Sequence, residues 1–228
     1  MNDSTRISIL LADDHEVVRE GLRKLLESEA GLDIVGEAQT GREAVALAKA
    51  LRPAVVLMDI AMPLLNGLEA TRQIRQAVPE IRVLILSAHS DDAYVEQAIA
   101  VGAAGFLLKH ASSRELSRAI RRTHLGETVF SPSIAKRLQR QQQESLESRG
   151  LSKAEPCRLS SREMEVLQQI AEGAANKQVA ADLGISIKTV EKYRGHLMKK
   201  LDIHKTAGLT RYAIAMGIIE SSVQVTVV

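Results

Sequence analysis

Short apolar segments alternate with helical segments over the first 125 residues, and this alternation restricts the fold more than any other feature. The apolar segments are residues 7–12, 33–36, 54–58, 82–86 and 105–108. They are short and mostly bounded by Asp, Gly or Pro, which is typical of strands buried on both faces. The intervening segments carry apolar residues at helical spacing, as at Val18, Leu22 and Leu25. The pattern predicts an α/β fold with a doubly wound, five-stranded parallel sheet.

The alternation ends near residue 125, and the rest of the chain has a different character. Residues 126–158 include Gly126, Pro132 and a polar run, which predict a linker with a helix over 133–146 and then a tether. From residue 159 the pattern is helical only, in segments at 161–172, 177–183, 188–201 and 206–219. We expect an α/β domain at 1–125, a linker at 126–158 and a small all-α domain of four helices at 159–228.

Cysteine content, hydropathy and charge exclude several classes of protein. The 228 residues include one cysteine, Cys157, which excludes a disulfide scaffold and a Cys-rich zinc site and fits a cytoplasmic protein. Acidic residues lie within the N-terminal apolar run, so we expect no signal peptide there, and no stretch approaches the ~20 apolar residues of a membrane span. The net charge is −2 over residues 1–125 and +4 over residues 126–228. A polyanionic partner would therefore be expected to bind the C-terminal part.

Polar residues follow the predicted strands at the sheet edge where parallel α/β proteins bind ligands. They are Asp13, Asp14, Asp59, Ser87 and Lys109. Clustered carboxylates repel one another unless a cation binds, and carboxylate and carbonyl oxygens are ligands that Mg²⁺ prefers. Beside Mg²⁺ a carboxylate can attack a phosphoryl donor and form an aspartyl phosphate. Each residue alone has a structural interpretation as a turn, a cap or a surface lysine, but the full set favours this chemistry.

Four segments of the first domain resemble the receiver domain of bacterial two-component response regulators, with a match over residues 6–125. They are LLADDHEVVREGL, VLMDIAMPLLNGLEA, VLILSAHSD and AVGAAGFLLKH. The resemblance implies a flavodoxin-like fold and phosphorylation of Asp59 by a sensor histidine kinase. The implied Mg²⁺ ligands are Asp13, Asp14, Asp59 and the backbone carbonyl of Ala61. The implied phosphoryl-switch residues are Ser87, Phe106 and Lys109.

Phe106 and His110 lie near the end of this domain, on either side of Lys109. Phe106 would reorient on activation according to the resemblance, and plain core packing is the alternative for it. His110 stands directly after Lys109, where receivers often have proline. A cis peptide bond is costly without proline, so the resemblance does not fix the backbone geometry at Lys109.

Residues 176–201 predict a short helix, a tight turn at Gly184 and a second helix. Ala180 and Leu183 would pack against Val190 and Leu197, which gives a helix-turn-helix. The opposite face of the second helix is basic and suited to the major groove of DNA. It carries Lys188, Lys192 and Lys199, with Gly195 permitting close approach. The alternative is a solvated surface helix, but the preceding helix, the turn and the apolar face favour DNA.

Residues 159–219 also resemble the LuxR-type helix-turn-helix of the NarL/FixJ class of regulators. The matching segments are LSSREMEVLQQIAEG, ANKQVAADLGIS, KTVEKYRGHLMKKL and the final helix at 207–218. The resemblance implies phosphate contacts at Lys177, Lys188 and Thr189. It implies positions facing or near bases at Glu191, Lys192, Gly195, His196 and Lys199. It implies dimer contacts at Leu209, Tyr212 and Met216, for which packing in the four-helix core is the alternative.

Two residues of the second helix depart from that family pattern. Tyr193 replaces a usual His and Glu191 replaces a frequent Lys. An acid facing the groove would favour cytosine or reject phosphate, so the family's operator preference does not carry over to this chain.

The sequence thus predicts a DNA-binding transcription regulator, not an enzyme, that is controlled by phosphorylation of Asp59. We expect activation to cause dimerisation on double-stranded promoter DNA, release of the DNA-binding domain from the receiver, or both. In the alternative, the receiver is a phosphorylation-independent dimerisation module. A receiver that only docks to protein partners would leave the basic helix unexplained. An Asp-based phosphatase would need a second Asp where Ala61 stands, and a nucleotide-binding enzyme would need a Gly-rich loop after the first strand.

Overall fold

Strands and helices alternate through the first of the two units into which the chain divides. The computed structural model describes residues 6–88, 92–130 and 159–219, and the units are Met1–Ala154 and Glu155–Val228. The predicted linker helix at 133–146, the tether after it and Cys157 lie outside the described residues.

Parallel strands of the first unit form a single sheet covered by helices. The strands are β1 Ile7–Ala12, β2 Leu32–Ala38, β3 Val55–Asp59, β4 Arg82–Ser87, β5 Gly105–Leu108 and β6 Val129–Phe130. The helices are α1 Glu16–Glu27, α2 Gly41–Leu51, α3 Gly67–Ala77, α4 Asp92–Ala100 and α5 Ser113–His124. The strand order is β2-β1-β3-β4-β5-β6, and all neighbouring pairs are parallel. The predicted doubly wound α/β fold is confirmed.

The sheet has one strand more than the five that the sequence analysis predicts. Val129 and Phe130 pair with Gly105 and Phe106 of β5, and the backbone N–H of Val129 donates to the carbonyl of Ala104. These residues fall within the predicted linker, but in the structure they extend the sheet. The prediction missed β6 because two residues are too few to show any periodicity.

Side chains of the strands alternate between two apolar layers, as the pleat requires. Leu10 lies with residues of α2, α3 and α4 on one face, whereas Ile9 and Leu11 lie with residues of α1 and α5 on the other. Both faces are therefore buried, which explains the continuous apolar runs of the strands. The arrangement leaves the carboxyl ends of the strands as the edge where polar groups gather.

The second unit consists, within residues 159–219, of four helices around one core. They are α6 Ser161–Ala171, α7 Asn176–Leu183, α8 Ile187–Lys200 and α9 Thr206–Ala215. A capping box of Ser160 and Glu163 starts α6. Gly184 ends α7 with a φ of +61°, a left-handed conformation that glycine adopts at little cost, and the chain then turns into α8. The predicted four-helix unit is confirmed.

Candidate functional site

The carboxyl ends of β1, β3 and β5 bring two carboxylates and one ammonium group together. Lys109 Nζ lies 2.7 Å from Asp13 Oδ2 and 3.0 Å from Asp59 Oδ1. Asp13 and Asp59 are only 2% and 4% exposed. The lysine offsets part of the repulsion between the two buried carboxylates.

Burial changes the acidity of Asp59 more than its neighbours do. Removal from water raises the pKa of Asp59 from 3.8 to about 7, with Asp13 adding to the increase and Lys109 opposing it. Burial acts to lower the pKa of Lys109, but Asp59 and Asp13 together outweigh burial and raise the pKa above 10.5. Lys109 is therefore a permanent cation at neutral pH, while Asp59 is poised to exchange a proton.

The turn after β1 places further ligand atoms at the same edge. The backbone N–H of His15 donates to Asp13 Oδ1 at 3.0 Å, and His15 Nδ1 lies 2.8 Å from Asp14 Oδ1. One ligand atom from each of Asp13, Asp14, His15 and Asp59 lies within 4.8 Å of the others. His15 is not among the ligands expected from the sequence, although its position next to two aspartates is a signal for it.

The donor set fits a divalent cation. Asp59 Oδ2 is buried and has no hydrogen-bond partner among the described residues, which is costly unless another group approaches it. Asp13, Asp14 and Asp59 supply hard oxygen atoms of the kind that Mg²⁺ prefers, whereas the imidazole of His15 suits softer ions. Ala61, whose carbonyl is the fourth predicted ligand, lies half-buried in the loop two residues after Asp59.

A glycine allows helix α3 to start directly against the end of β3. A Cβ atom on Gly67 would lie 1.8 Å from the carbonyl oxygen of Asp59. The N–H of Gly67 donates to the carbonyl of Ile60, and the side chain of Asn66 caps the helix by accepting from the N–H of Glu69. These contacts fix the loop that holds Asp59 and Ala61. Gly67 is not among the residues expected from the sequence, because an isolated Gly at a helix start carries no distinct signal.

The remaining switch candidates lie on β4 and β5. Ser87 is buried at the end of β4, and its carbonyl accepts from the N–H of Lys109 at 2.8 Å. Phe106 is fully buried in the apolar layer with α2, α3 and α4, so in this conformation it is a core residue. The peptide bond between Lys109 and His110 is trans.

The outer face of α8 is a continuous polar surface in the second unit. Val190 and Leu197 point into the core, while most of the predicted DNA-facing residues are exposed. The exposed residues are Lys177 on α7 and Lys188, Glu191, Lys192, Gly195, His196 and Lys199 on α8. Thr189 is half-buried, and its hydroxyl lies 2.8 Å from that of Ser186, the N-terminal cap of α8. Apart from its chain neighbours and the backbone of its own helix, no described residue lies within 4 Å of a Cβ built on Gly195.

Contacts within the second unit explain the half-buried residues of α8. Tyr193 packs against the core, and Arg194 donates to the hydroxyl of Thr206 at the start of α9. Tyr193 and Arg194 therefore make contacts that stabilise the second unit.

One of the three predicted dimer contacts, Leu209, is buried in the structure. Leu209 is 0% exposed and lies in the four-helix core, so it has no surface to offer a second protomer. Tyr212 and Met216 are half-buried and pack against the same core. The large apolar side chain that α9 does expose is Ile214. Helical spacing alone does not predict which of these residues are buried, because the apolar residues of this ten-residue helix are not confined to one face.

Comparison with known proteins matches both units to families. A model of the response regulator receiver domain matches residues 9–121, and a model of bacterial regulatory proteins of the luxR family matches residues 158–213. The response regulator VraR of Staphylococcus aureus is 34% identical over 94% of this chain and 99% of its own length. The chain belongs to the two-component response regulators. It combines a receiver with a LuxR-type DNA-binding domain.

Solved structures give the same assignment for this response regulator. A LuxR-family two-component response regulator from Aurantimonas sp. SI85-9A1 is 37% identical, with a TM-score of 0.58, over 60% of this chain and 98% of its own. RcsB from Salmonella enterica serovar Typhimurium, solved bound to the rprA promoter with the phosphomimetic BeF3⁻, is 25% identical, with a TM-score of 0.56, over 91% of this chain and 98% of its own. None of the described helices is long and apolar enough to cross a membrane.

Proposed function

We propose that this response regulator is a cytoplasmic transcription factor whose binding to promoter DNA is controlled by phosphorylation of Asp59. The observation that carries the proposal is the buried Asp59 carboxylate, held by Lys109 and with Oδ2 lacking a hydrogen-bond partner among the described residues. A histidine kinase would supply the phosphoryl group. Asp59 attacks phosphorus, the phosphorus–nitrogen bond to the kinase histidine breaks, and that imidazole takes a proton.

The charges around Asp59 suit this transfer. The nucleophile must be ionised, but burial favours its protonated form. A Mg²⁺ ion held by Asp13, Asp14, Asp59 and the carbonyl of Ala61 would neutralise charge on carboxylates and phosphoryl oxygens. Lys109 is already within ion-pair distance of Asp59 and can pair with the new phosphoryl charge. The hydroxyl of Ser87, at the end of the neighbouring strand, is the group that would donate to that phosphoryl group.

The output of this switch is DNA binding through α8. We propose phosphate contacts at Lys177, Lys188 and Thr189, with Glu191, Lys192 and Gly195 facing the base edges. Dimerisation would double these contacts and read two half-sites. The family consists of DNA-binding regulators, and we infer that this member has no enzymatic turnover of its own. The receiver and DNA-binding parts are proposed to be joined by the segment that follows β6.

Light scattering coupled to gel filtration, with Mg²⁺ and with or without beryllofluoride, tests the control step. Beryllofluoride mimics the phosphoryl group on Asp59. We expect the mass to double in wild type and in Asp33→Asn, a control that removes an exposed carboxylate from β2, but not in Asp59→Asn. A wild type that is dimeric without beryllofluoride would favour the phosphorylation-independent module instead.

Fluorescence anisotropy with a duplex selected from a randomised pool tests the output. Lys192→Ala should weaken binding to this duplex. Any phosphate contact that Lys192 makes would appear as a decrease of up to about 0.9 in the slope of log K against log salt. Lys205→Ala is the matched control, since Lys205 is an exposed base of the same unit outside α8. Equal losses in the two variants would refute a specific role for the α8 face.

A further inference from the structure

A buried arginine on α1 lies directly behind the acidic turn. Arg19 is 6% exposed, which is rare for a guanidinium and stable only when its donors are satisfied. Its Nη1 donates to the backbone carbonyl of Asp13 at 2.8 Å, and its Nε donates to Glu37 Oε2 at 3.3 Å. The arginine therefore connects β2 to the first residue of the acidic turn.

The main chain of Asp13 is held on both sides by this arrangement. Its N–H donates to the carbonyl of Ala38 on β2 at 3.1 Å, and its carbonyl accepts from Arg19. The same turn continues into α1, where the N–H of Arg19 donates to the carbonyl of His15 at 3.0 Å. The orientation of the peptide between Asp13 and Asp14 thus depends on a side chain that contacts neither carboxylate group of the turn.

We propose that Arg19 is a positioning residue that sets the Asp13–Asp14 turn for divalent cation binding, with Glu37 as its anchor on β2. The inference rests on the proposed function, because it assumes that the turn holds Mg²⁺. Groups that orient metal ligands through hydrogen bonds commonly change metal affinity by about 10- to 100-fold when they are removed. Arg19 would act at the low end of that range, since it holds the main chain rather than a ligand atom.

The chain offers a matched control in Arg23. Arg23 lies one turn further along α1 and pairs with the same Glu37 carboxylate, but it has no contact with Asp13. Loss of a positive charge near carboxylates strengthens cation binding, whereas loss of a positioning group weakens it. The charge effect and the positioning effect therefore have opposite signs, which makes the result decisive.

Calorimetric titration of Mg²⁺ into the full chain tests the inference. Arg19→Met should raise the dissociation constant about tenfold, Arg23→Met should leave it within about twofold, and Arg19→Lys should give an intermediate value because one ammonium can replace one of the two hydrogen bonds. Thermal unfolding without Mg²⁺ reports whether each variant is folded. If Arg19→Met does not fold, Arg19→Lys decides, with a several-fold weaker affinity expected.

Each remaining outcome has a distinct meaning. Folded Arg19 variants that bind Mg²⁺ as tightly as wild type, or more tightly, overturn the positioning role while the proposed function stands. A wild type that binds no Mg²⁺ overturns the proposed metal site itself, and with it the role of Arg19.

Discussion

Lys109 Nζ lies 3.0 Å from Asp59 Oδ1, and Asp59 is only 4% exposed. The ion pair does not make Asp59 a strong acid, because burial outweighs it and the pKa rises to about 7. The stability of the receiver therefore depends on pH in a way that can be measured.

The pH dependence of unfolding should differ between wild type and Asp59→Asn. Asp59 binds a proton more tightly when folded than when unfolded, so its ionisation lowers the free energy of unfolding as pH rises from about 4 to about 7. Without divalent cations, Asp59→Asn should exceed wild type in unfolding free energy by on the order of 1–4 kcal/mol at about pH 8 and by less at about pH 5. Urea denaturation at the two pH values measures this difference.

Lys109 keeps its charge throughout this experiment, and Asp33→Asn is the control variant. The raised pKa of Lys109 keeps this residue charged below 10.5, so its contribution is fully present throughout the range and is lost only at higher pH. Asp33→Asn removes an exposed carboxylate and should follow the wild-type pH profile. If Asp59→Asn also follows that profile, the carboxyl group of Asp59 is ionised at ordinary pH.

Gly67→Ala should disrupt the receiver. The new Cβ atom would overlap the carbonyl oxygen of Asp59 at 1.8 Å, so β3 or α3 must move, at a cost of roughly 1–3 kcal/mol or more. Gly21→Ala is the matched change in α1, where a Cβ has open space, and it should stabilise the helix by up to about 1 kcal/mol. Urea denaturation compares the two variants, and equal stabilities would contradict the close contact.

Gln169→Met should stabilise the DNA-binding unit. Gln169 is 0% exposed, and neither its Oε1 nor its Nε2 has a hydrogen-bond partner among the described residues. Replacing this amide by an apolar group of similar shape removes a desolvation cost of about 1–3 kcal/mol. Thermal unfolding followed by circular dichroism should show a higher melting temperature. Gln178→Met, at an exposed site where the amide donates to Asp182, should show no gain.

Gly195→Ala should separate helix stability from DNA affinity. A methyl group at this open position should stabilise α8 by about 1 kcal/mol, because glycine is a poor helix former. If Gly195 lies against DNA, the same methyl group should weaken binding to the selected duplex. Gly21→Ala should leave DNA binding unchanged. A Gly195→Ala protein that is more stable and binds equally well would remove Gly195 from the interface.

The sheet and most helices could be predicted because their signals are local and repeated. The strand at 105–108 and the helix at 67–77 have the same bounds in the sequence and in the structure, and their apolar periods follow directly from burial. Asp13, Asp59 and Lys109 could be placed together because parallel strands end at one edge. Arg19, in contrast, gave no signal, since an arginine within an amphipathic helix is normally expected at the surface.

Other features depend on contacts that a sequence does not display. Leu209 and Ile214 are both apolar residues of α9, but only the packing of α6 against α9 decides which of them is buried. The two-residue strand β6 likewise depends on the exposed edge of β5 and not on its own composition. Such choices are made by tertiary structure, which overrides weak local preference.

The edge position of β6 also affects how tightly the end of the receiver is held. Val129 and Phe130 are attached to the sheet through β5 alone, over two paired positions, and local opening is cheapest at such short edges. The partner of Phe130 across that pair is Phe106. Local opening of the sheet would therefore release β6 before the longer strands, and the backbone pairing of Phe130 with Phe106 would be lost with it.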